Sequence, residues 1–198
     1  FPNEGNAEAF EQVVHAILDY AESINDAVKG VVFNIETGPP LDHLFQKAAA
    51  DRDITTLTQL AVEHVDRDKY RKSVAHYEAV AQGVRARGYE VQLTTFALLL
   101  DDFADGDTDL QDVFNIPMEG ISWDTRSFCA YSTEYGHLGA FPVTPYFVYS
   151  YAKTAREHYG DNTWIAVGLI RNNERGYRTP EELAADIVPD KAYRYPGI

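Results

Sequence analysis

The sequence predicts an α/β fold in which helices cover a parallel sheet. Three observations lead to this prediction: four short apolar runs typical of strands, amphipathic helical patterns between them, and breaker residues at the junctions. The strand-like runs lie at 31–36, 90–100, 127–135 and 163–170. Strands that alternate with helices pair in parallel, because a parallel connection needs a crossover long enough to hold a helix. We expect residues 1–198 to form a single α/β domain, since this length can bury its own core.

Three helical segments are predicted in the first half of the chain from apolar residues spaced three and four apart. The first covers 7–27, one or two helices occupy 41–65, and a long helix follows over about 67–87. Gly88 is a natural C-cap for the long helix. The residues expected to face the core are Phe10, Val13, Val14, Ile17, Leu18, Ala21, Ile24, Leu41, Leu44, Leu57, Leu60, Val62, Tyr70, Val74, Tyr77, Ala81 and Val84.

Two more helices are predicted from their start signals. Thr144 followed by Pro145 is typical of an N-cap and first helical position, and Thr179 followed by Pro180 repeats the signal. Two architectures fit the resulting pattern. A doubly wound sheet closes with four or five parallel strands, whereas a (β/α)8 barrel needs about 250 residues, so this chain would hold about half of one.

Composition and charge exclude several classes of function. The formal net charge of −14 repels nucleic acid and anionic membranes, and no apolar run approaches the ~20 residues of a membrane span. No glycine-rich phosphate loop and no GxSxG elbow occur, and the histidines lack a metal-binding spacing. We therefore expect no nucleic acid, membrane, cofactor or metal partner. The acidic composition with six lysines favours an extracellular or cell-envelope location.

The acidic segment 101–112, DDFADGDTDLQD, is dense in carboxylate oxygens. It departs from the calcium-binding EF-hand spacing because Phe103 occupies a ligand position. The favoured interpretation is a solvated acidic loop, with calcium binding as the alternative.

Polar residues follow each predicted strand, where parallel sheets place their ligand sites. Alternation puts Asn34 and Glu36 on one face, whereas Tyr131 and Glu134 would point opposite ways in a regular strand. Glu36 is either catalytic or a structural carboxylate that caps a helix or pairs with an arginine. Acidic, amide and aromatic groups suit a polyhydroxylated ligand, so a saccharide is expected. The candidate substrate-binding residues are Asp101, Asp124, Glu134, Arg171 and Asn172.

The stretch KGVVFNIE, residues 29–36, resembles the fourth-strand motif of glycoside hydrolase family 18, D-G-x-D-x-D-x-E. Gly30 and Glu36 match this motif. The residues that replace its three aspartates are Lys29, Val32 and Asn34. Asparagine two residues before the acid resembles the N-x-E arrangement of the related family 85 endo-β-N-acetylglucosaminidases. FCAYS at 128–132 and WIAVGLI at 164–170 resemble the sixth and seventh strands of the family 18 barrel, and YPGI at 195–198 resembles the start of the eighth. The order and spacing over roughly residues 7–198 therefore resemble strands four to seven of such a barrel.

The resemblance implies a (β/α)8 barrel of which this chain is the carboxyl-terminal part, completed by an N-terminal portion or by self-association. It implies a glycosidase that cleaves N-acetylhexosamine-containing saccharides by substrate-assisted hydrolysis. Glu36 would protonate the glycosidic oxygen and then activate water, Asn34 would hold the 2-acetamido group, and Tyr131 would hydrogen-bond the same group.

Val32 is the departure from the motif with the greatest consequence. Without a carboxylate at this position, a negative charge that would help raise the pKa values of its neighbours is lost. Two alternatives to a glycosidase therefore stay open. One is a carbohydrate-binding barrel without turnover. The other is a structural or assembly domain whose strand-end polar groups only cap helices.

Overall fold

The computed structural model describes residues 5–24, 27–104, 106–137, 143, 145–170 and 176–187. These residues form one four-stranded sheet, eight α-helices and one 3₁₀ helix. The strands are β1 (Gly30–Asn34), β2 (Glu90–Phe96), β3 (Thr125–Cys129) and β4 (Thr163–Ala166). The helices are α1 (Ala7–Ser23), α2 (Pro39–Ala50), α3 (Ile54–His64), α4 (Arg67–Ala86), α5 (Asp109–Val113), α6 (Ser132–His137), α7 (Pro145–Tyr159) and α8 (Pro180–Ile187), with the 3₁₀ helix at Ala97–Ala104.

The sheet is entirely parallel, in the order β1-β2-β3-β4, which confirms the predicted α/β class. Its register aligns Asn34, Thr94, Ser127 and Trp164 in one row across the four strands. Such a sheet is compatible with a doubly wound α/β fold. The strand order follows the chain without a reversal among the described strands, and these strands do not form a closed barrel.

Helices α1, α4 and α7 share one core with one face of the sheet. Phe33 of β1 lies in this core, with its ring edge-to-face against Phe10 at 5.0 Å and against Trp123 at 5.4 Å between centroids. The buried residues that these helices and the strands contribute include Val14, Leu18, Tyr77, Val80, Ala81, Val84, Val91, Leu93, Phe128, Val148 and Ala155.

The opposite face of the sheet is less covered by the described residues. Val32 is 55% exposed there and Trp164 is 65% exposed, although parallel sheets are normally covered on both faces. We call this surface the open face. The residues in the middle rows of this face are uncharged: Val32, Asn34, Gln92, Thr94, Thr125, Ser127 and Trp164. Alternation puts the exposed Glu90 on the same side at the amino edge of the sheet.

Not every residue of the predicted apolar stripes is buried. The prediction is confirmed for most of α4, and Gly88 has the left-handed φ of +88° expected after the helix end. It is wrong for the residues that are half or more exposed, because each helix packs along a narrower strip than its apolar pattern covers. These residues are Val13, Ile17, Ile24, Leu44 and Val62.

All four predicted strands extend beyond the observed ends, and the first and fourth end at Asn34 and Ala166 instead of 36 and 170. The second ends at Phe96, where the apolar run continues into the 3₁₀ helix. The third ends at Cys129, and the N–H groups of Glu134 and Tyr135 both donate to the Tyr131 carbonyl at 3.0 Å as helix α6 begins. Apolar alternation alone did not distinguish a strand from the helical turn that follows it.

Candidate functional site

A cavity of about 690 Å³ lies at the carboxyl edge of the sheet, and we call it the edge cavity. It lies between the residues that end or follow β1, β2 and β3 and the hairpin formed by α2 and α3. The polar side chains that line it include Glu36, Asp42, Gln46, Arg52, Tyr131 and Glu134. The apolar ones include Phe45, Ala49, Ile54, Leu57, Phe96 and Phe114. The predicted location of the site at the strand ends therefore coincides with a concave, partly apolar pocket.

Glu36 reaches this cavity from the end of β1. The Ile35 N–H donates to the Thr94 carbonyl at 2.9 Å, so the strand geometry continues past Asn34 and puts Glu36 on the side of the open face. Burial raises the pKa of the Glu36 carboxyl above its ordinary value. The hydrogen bond from Asn34 opposes this rise, and the charges of Asp42 and Glu134 add to it. A carboxyl group in such surroundings is suited to act as a general acid.

Asn34 contacts Glu36 directly. Its Nδ2 donates to Glu36 Oε1 at 2.9 Å, while its Oδ1 is buried and has no hydrogen-bond partner among the described residues. The shared face predicted for these two residues is thus observed. Their contact gives Asn34 a role in orienting the acid, and its predicted role as a holder of an acetamido group stays a prediction.

Tyr131 and Glu134 both line the edge cavity, so the expectation that they point opposite ways is wrong. The reason is that the strand ends before them and a helical turn places residues three apart on the same side. Burial raises the pKa of the Tyr131 phenol, and the nearby Cys129 thiol and the charges of Glu36 and Glu134 raise it further. The phenol therefore stays protonated at neutral pH and can donate a hydrogen bond.

Two of the other predicted binding residues, Asp101 and Asp124, do not join this group. Asp101 follows β2 but lies outside the cavity lining, where the Tyr151 hydroxyl donates to its Oδ2 at 2.9 Å. Asp124 precedes β3, at the amino edge of the sheet opposite Glu36. Its carboxylate accepts from the Val91 N–H at 2.7 Å and from Arg85 Nε at 3.2 Å. Two predicted residues, Arg171 and Asn172, lie outside the described residues.

The acidic segment is not a solvated loop. Asp102 is buried and accepts from the Leu110 N–H and from Gln111 Nε2, both at 3.0 Å. Asp112 is also buried and accepts from the Asp66 N–H at 2.9 Å. These carboxylates bind the ends of neighbouring helices. In the part of the chain that the structure describes, no group of three or more His, Cys, Asp or Glu side chains is arranged to hold a metal ion.

The sequence analysis missed the contribution of the α2–α3 hairpin to the site. Phe45, Asp42 and Arg52 line the edge cavity, yet this segment was interpreted only as part of the core. A signal for its position exists in the sequence. Only Thr37 and Gly38 separate Glu36 from the start of α2, so this helix must begin beside the carboxyl end of β1.

Across the described ranges, no helix combines the length and the apolar character needed to cross a bilayer. Comparison of the chain with protein-family models, with curated proteins and with solved structures finds no match.

Proposed function

We propose that this chain carries the site of a glycan-processing hydrolase that acts on N-acetylhexosamine-containing saccharides. The observation that carries the proposal is the setting of Glu36. It is a partly buried carboxyl with a raised pKa, it accepts a hydrogen bond from Asn34, and it shares the edge cavity with Tyr131 and Glu134.

The chemistry assigned to Glu36 needs both of its protonation states. As an acid it gives its proton to the glycosidic oxygen while the bond from that oxygen to the anomeric carbon breaks. The acetamido carbonyl of the substrate attacks the anomeric carbon, and Tyr131 donates a hydrogen bond to the acetamido group. The Glu36 carboxylate then takes a proton from water as the water oxygen bonds to the anomeric carbon and the bond from the acetamido oxygen to that carbon breaks. This restores the acid and the acetamido group and releases the sugar.

We also propose that the four strands form an arc of a (β/α)8 barrel. Three observations support this: strands that neighbour in the chain also neighbour in the sheet, α1, α4 and α7 share the core on one face, and the middle rows of the open face hold uncharged residues. Glu36 follows β1 on the side of the open face, which would become the barrel interior. A second copy of the chain or an N-terminal portion would supply the missing strands.

A carbohydrate-binding protein without turnover is the second candidate. The observation that favours it is Val32, an apolar residue on the same face as Asn34 and Glu36 where the resembling motif carries a carboxylate. Such a protein would keep the cavity and its polar groups without the charge that tunes the acid.

Hydrolysis and binding of N-acetylglucosamine oligomers distinguish these candidates. We expect the wild-type protein to hydrolyse them and the Glu36→Gln variant to bind them without turnover. Glu90→Gln is the matched control, because it makes the same chemical change on an exposed side chain at the amino edge of the sheet. Binding without turnover in all three proteins would favour the second candidate, and absence of binding would contradict both.

A further inference from the structure

We infer that the edge cavity binds the apolar aglycone of a neutral glycoside, so that the ligand is a sugar that carries an alkyl or aryl group. This inference deepens the proposed function and rests on it for the identity of the sugar end. The juxtaposition that carries it is an apolar wall formed by residues of α2, α3, the β2 end and Phe114 after α5, which shares one cavity with polar groups at the ends of β1 and β3.

The apolar wall consists of aromatic and aliphatic side chains from separate segments of the chain. The rings of Phe45 and Phe114 contact each other with centroids 4.7 Å apart, and Phe96 and Leu57 extend the same surface. All four side chains are only half-buried, and Ile54 beside them is 70% exposed. A ligand that covers this surface removes apolar area from water, which is favourable. The volume of about 690 Å³ is in the range of small-molecule sites.

A second sugar unit suits this wall poorly. Its hydroxyl groups would lose their water on binding, and the phenylalanine and leucine side chains offer no hydrogen bonds in return. Glu36, Tyr131 and Glu134 can pair with hydroxyls from the ends of β1 and β3, and Asp42, Gln46 and Arg52 add polar groups on the hairpin. The phenylalanine and leucine side chains leave an apolar surface in the same cavity that an alkyl or aryl group can cover.

The charges of the cavity select a neutral ligand over an anionic one. Three carboxylates line it, those of Glu36, Asp42 and Glu134, against the single guanidinium of Arg52 among the lining residues. An alkyl phosphate or a glycosyl phosphate would be repelled by this excess of negative charge. An uncharged alkyl or aryl glycoside is not repelled in this way.

Calorimetric titration with a series of glycosides tests the inference. The Glu36→Gln variant keeps the ligands intact, and the probes are the methyl, butyl and octyl N-acetyl-β-D-glucosaminides below micelle-forming concentrations. We expect affinity to rise by about fourfold for each methylene that enters the cavity. Ala49→Trp, which fills the cavity, should lower the affinity for the octyl compound by at least about tenfold and leave the affinity for the methyl compound less changed.

Two further variants provide an independent test of the apolar wall in case one variant folds poorly. Phe45→Ala shortens the apolar wall and should weaken octyl binding, whereas Leu44→Ala should not. Leu44 is the control because it neighbours Phe45 on α2, is half exposed and lies outside the cavity lining. Thermal unfolding of each variant separates loss of binding from loss of fold.

The outcomes separate this inference from the proposed function. Equal affinity for the methyl and octyl compounds would overturn the aglycone site even if hydrolysis depends on Glu36. Binding of octyl phosphate as tight as that of the octyl glycoside would overturn the preference for a neutral ligand. Chain-length-dependent binding that Ala49→Trp abolishes, in a wild-type protein that hydrolyses no glycoside, would support the cavity and contradict the hydrolase.

Discussion

Glu36 is stabilised by its surroundings mainly in the protonated form. Since burial raises its pKa in the folded state, its contribution to stability is present at low pH and is lost as the pH rises through the folded pKa. Near neutral pH, the burial of the Glu36 side chain therefore lowers the free energy of unfolding. Such a cost at a concave site is typical of a residue kept for function, because a glutamine or leucine there would avoid it.

Replacement of Asn34 by alanine tests its role at the residue scale. The hydrogen bond from Asn34 favours the ionised form of Glu36, so its loss should raise the pKa of the acid further. We expect the alkaline limb of the pH profile of kcat/KM to move to higher pH. On the acidic side of the profile, the plateau value of kcat/KM in Asn34→Ala should be lower than in the wild type by about tenfold or less. The reason is that a hydrogen bond to a charged group contributes about 1.5 kcal/mol.

The control for this experiment is Thr94→Val, which changes the residue beside Asn34 in the same row of the open face. Its pH profile should match that of the wild type. If Asn34 only held the acetamido group, Asn34→Ala would raise KM for acetamido substrates and leave the pH limb in place, which would contradict the orienting role.

Two elements define the candidate site, the short helix α6 and the hairpin of α2 and α3. Alternation correctly put Asn34 and Glu36 together because β1 is a regular strand. It failed for Tyr131 and Glu134 because the change from strand to helix after Cys129 depends on hydrogen bonds to the Tyr131 carbonyl, which leave no periodic pattern over so few residues. The apolar wall was not predicted, since apolar residues at helical spacing look the same whether they face a core or a cavity.

The acidic segment gives a prediction at the scale of elements. Asp102→Ala should lower the free energy of unfolding by about 3 kcal/mol, because it leaves the buried donors of Leu110 and Gln111 unpaired. Asp109→Ala in the same segment should cost less than about 1 kcal/mol, because its ion pair with Arg67 is exposed. Urea denaturation of both variants measures the difference. Equal losses would contradict the structural role of Asp102.

At the scale of the whole molecule, the exposed apolar residues of the open face lead us to expect self-association. Among the described residues the open face is sparsely covered and Trp164 is 65% exposed, which leaves apolar area in water that a second copy would cover. We expect the protein to associate as its concentration rises. Association should strengthen with salt, because the net charge of −14 on each copy is then screened.

Sedimentation of two charge-matched variants tests this association. Trp164→Lys on the open face should weaken it by about tenfold or more, since a charge would be buried. Tyr20→Lys makes the same kind of change at an exposed aromatic residue of α1 and should have little effect. A protein that stays monomeric at every salt and protein concentration would contradict closure by a second copy.

The sequence by itself determined the α/β class, the approximate starts of the strands, the caps at Gly88 and Thr179 (Thr144 lies outside the described residues) and the pairing of Asn34 with Glu36. These features depend on local periodicity and on residues a few positions apart, which a single chain displays directly. The tertiary structure decided which strand ends meet. It joined Tyr131 and Glu134 to Glu36, separated Asp124 to the opposite edge, and placed the α2–α3 hairpin against the acid. Those outcomes depend on strand lengths, register and packing between segments far apart in the chain, which no local pattern specifies.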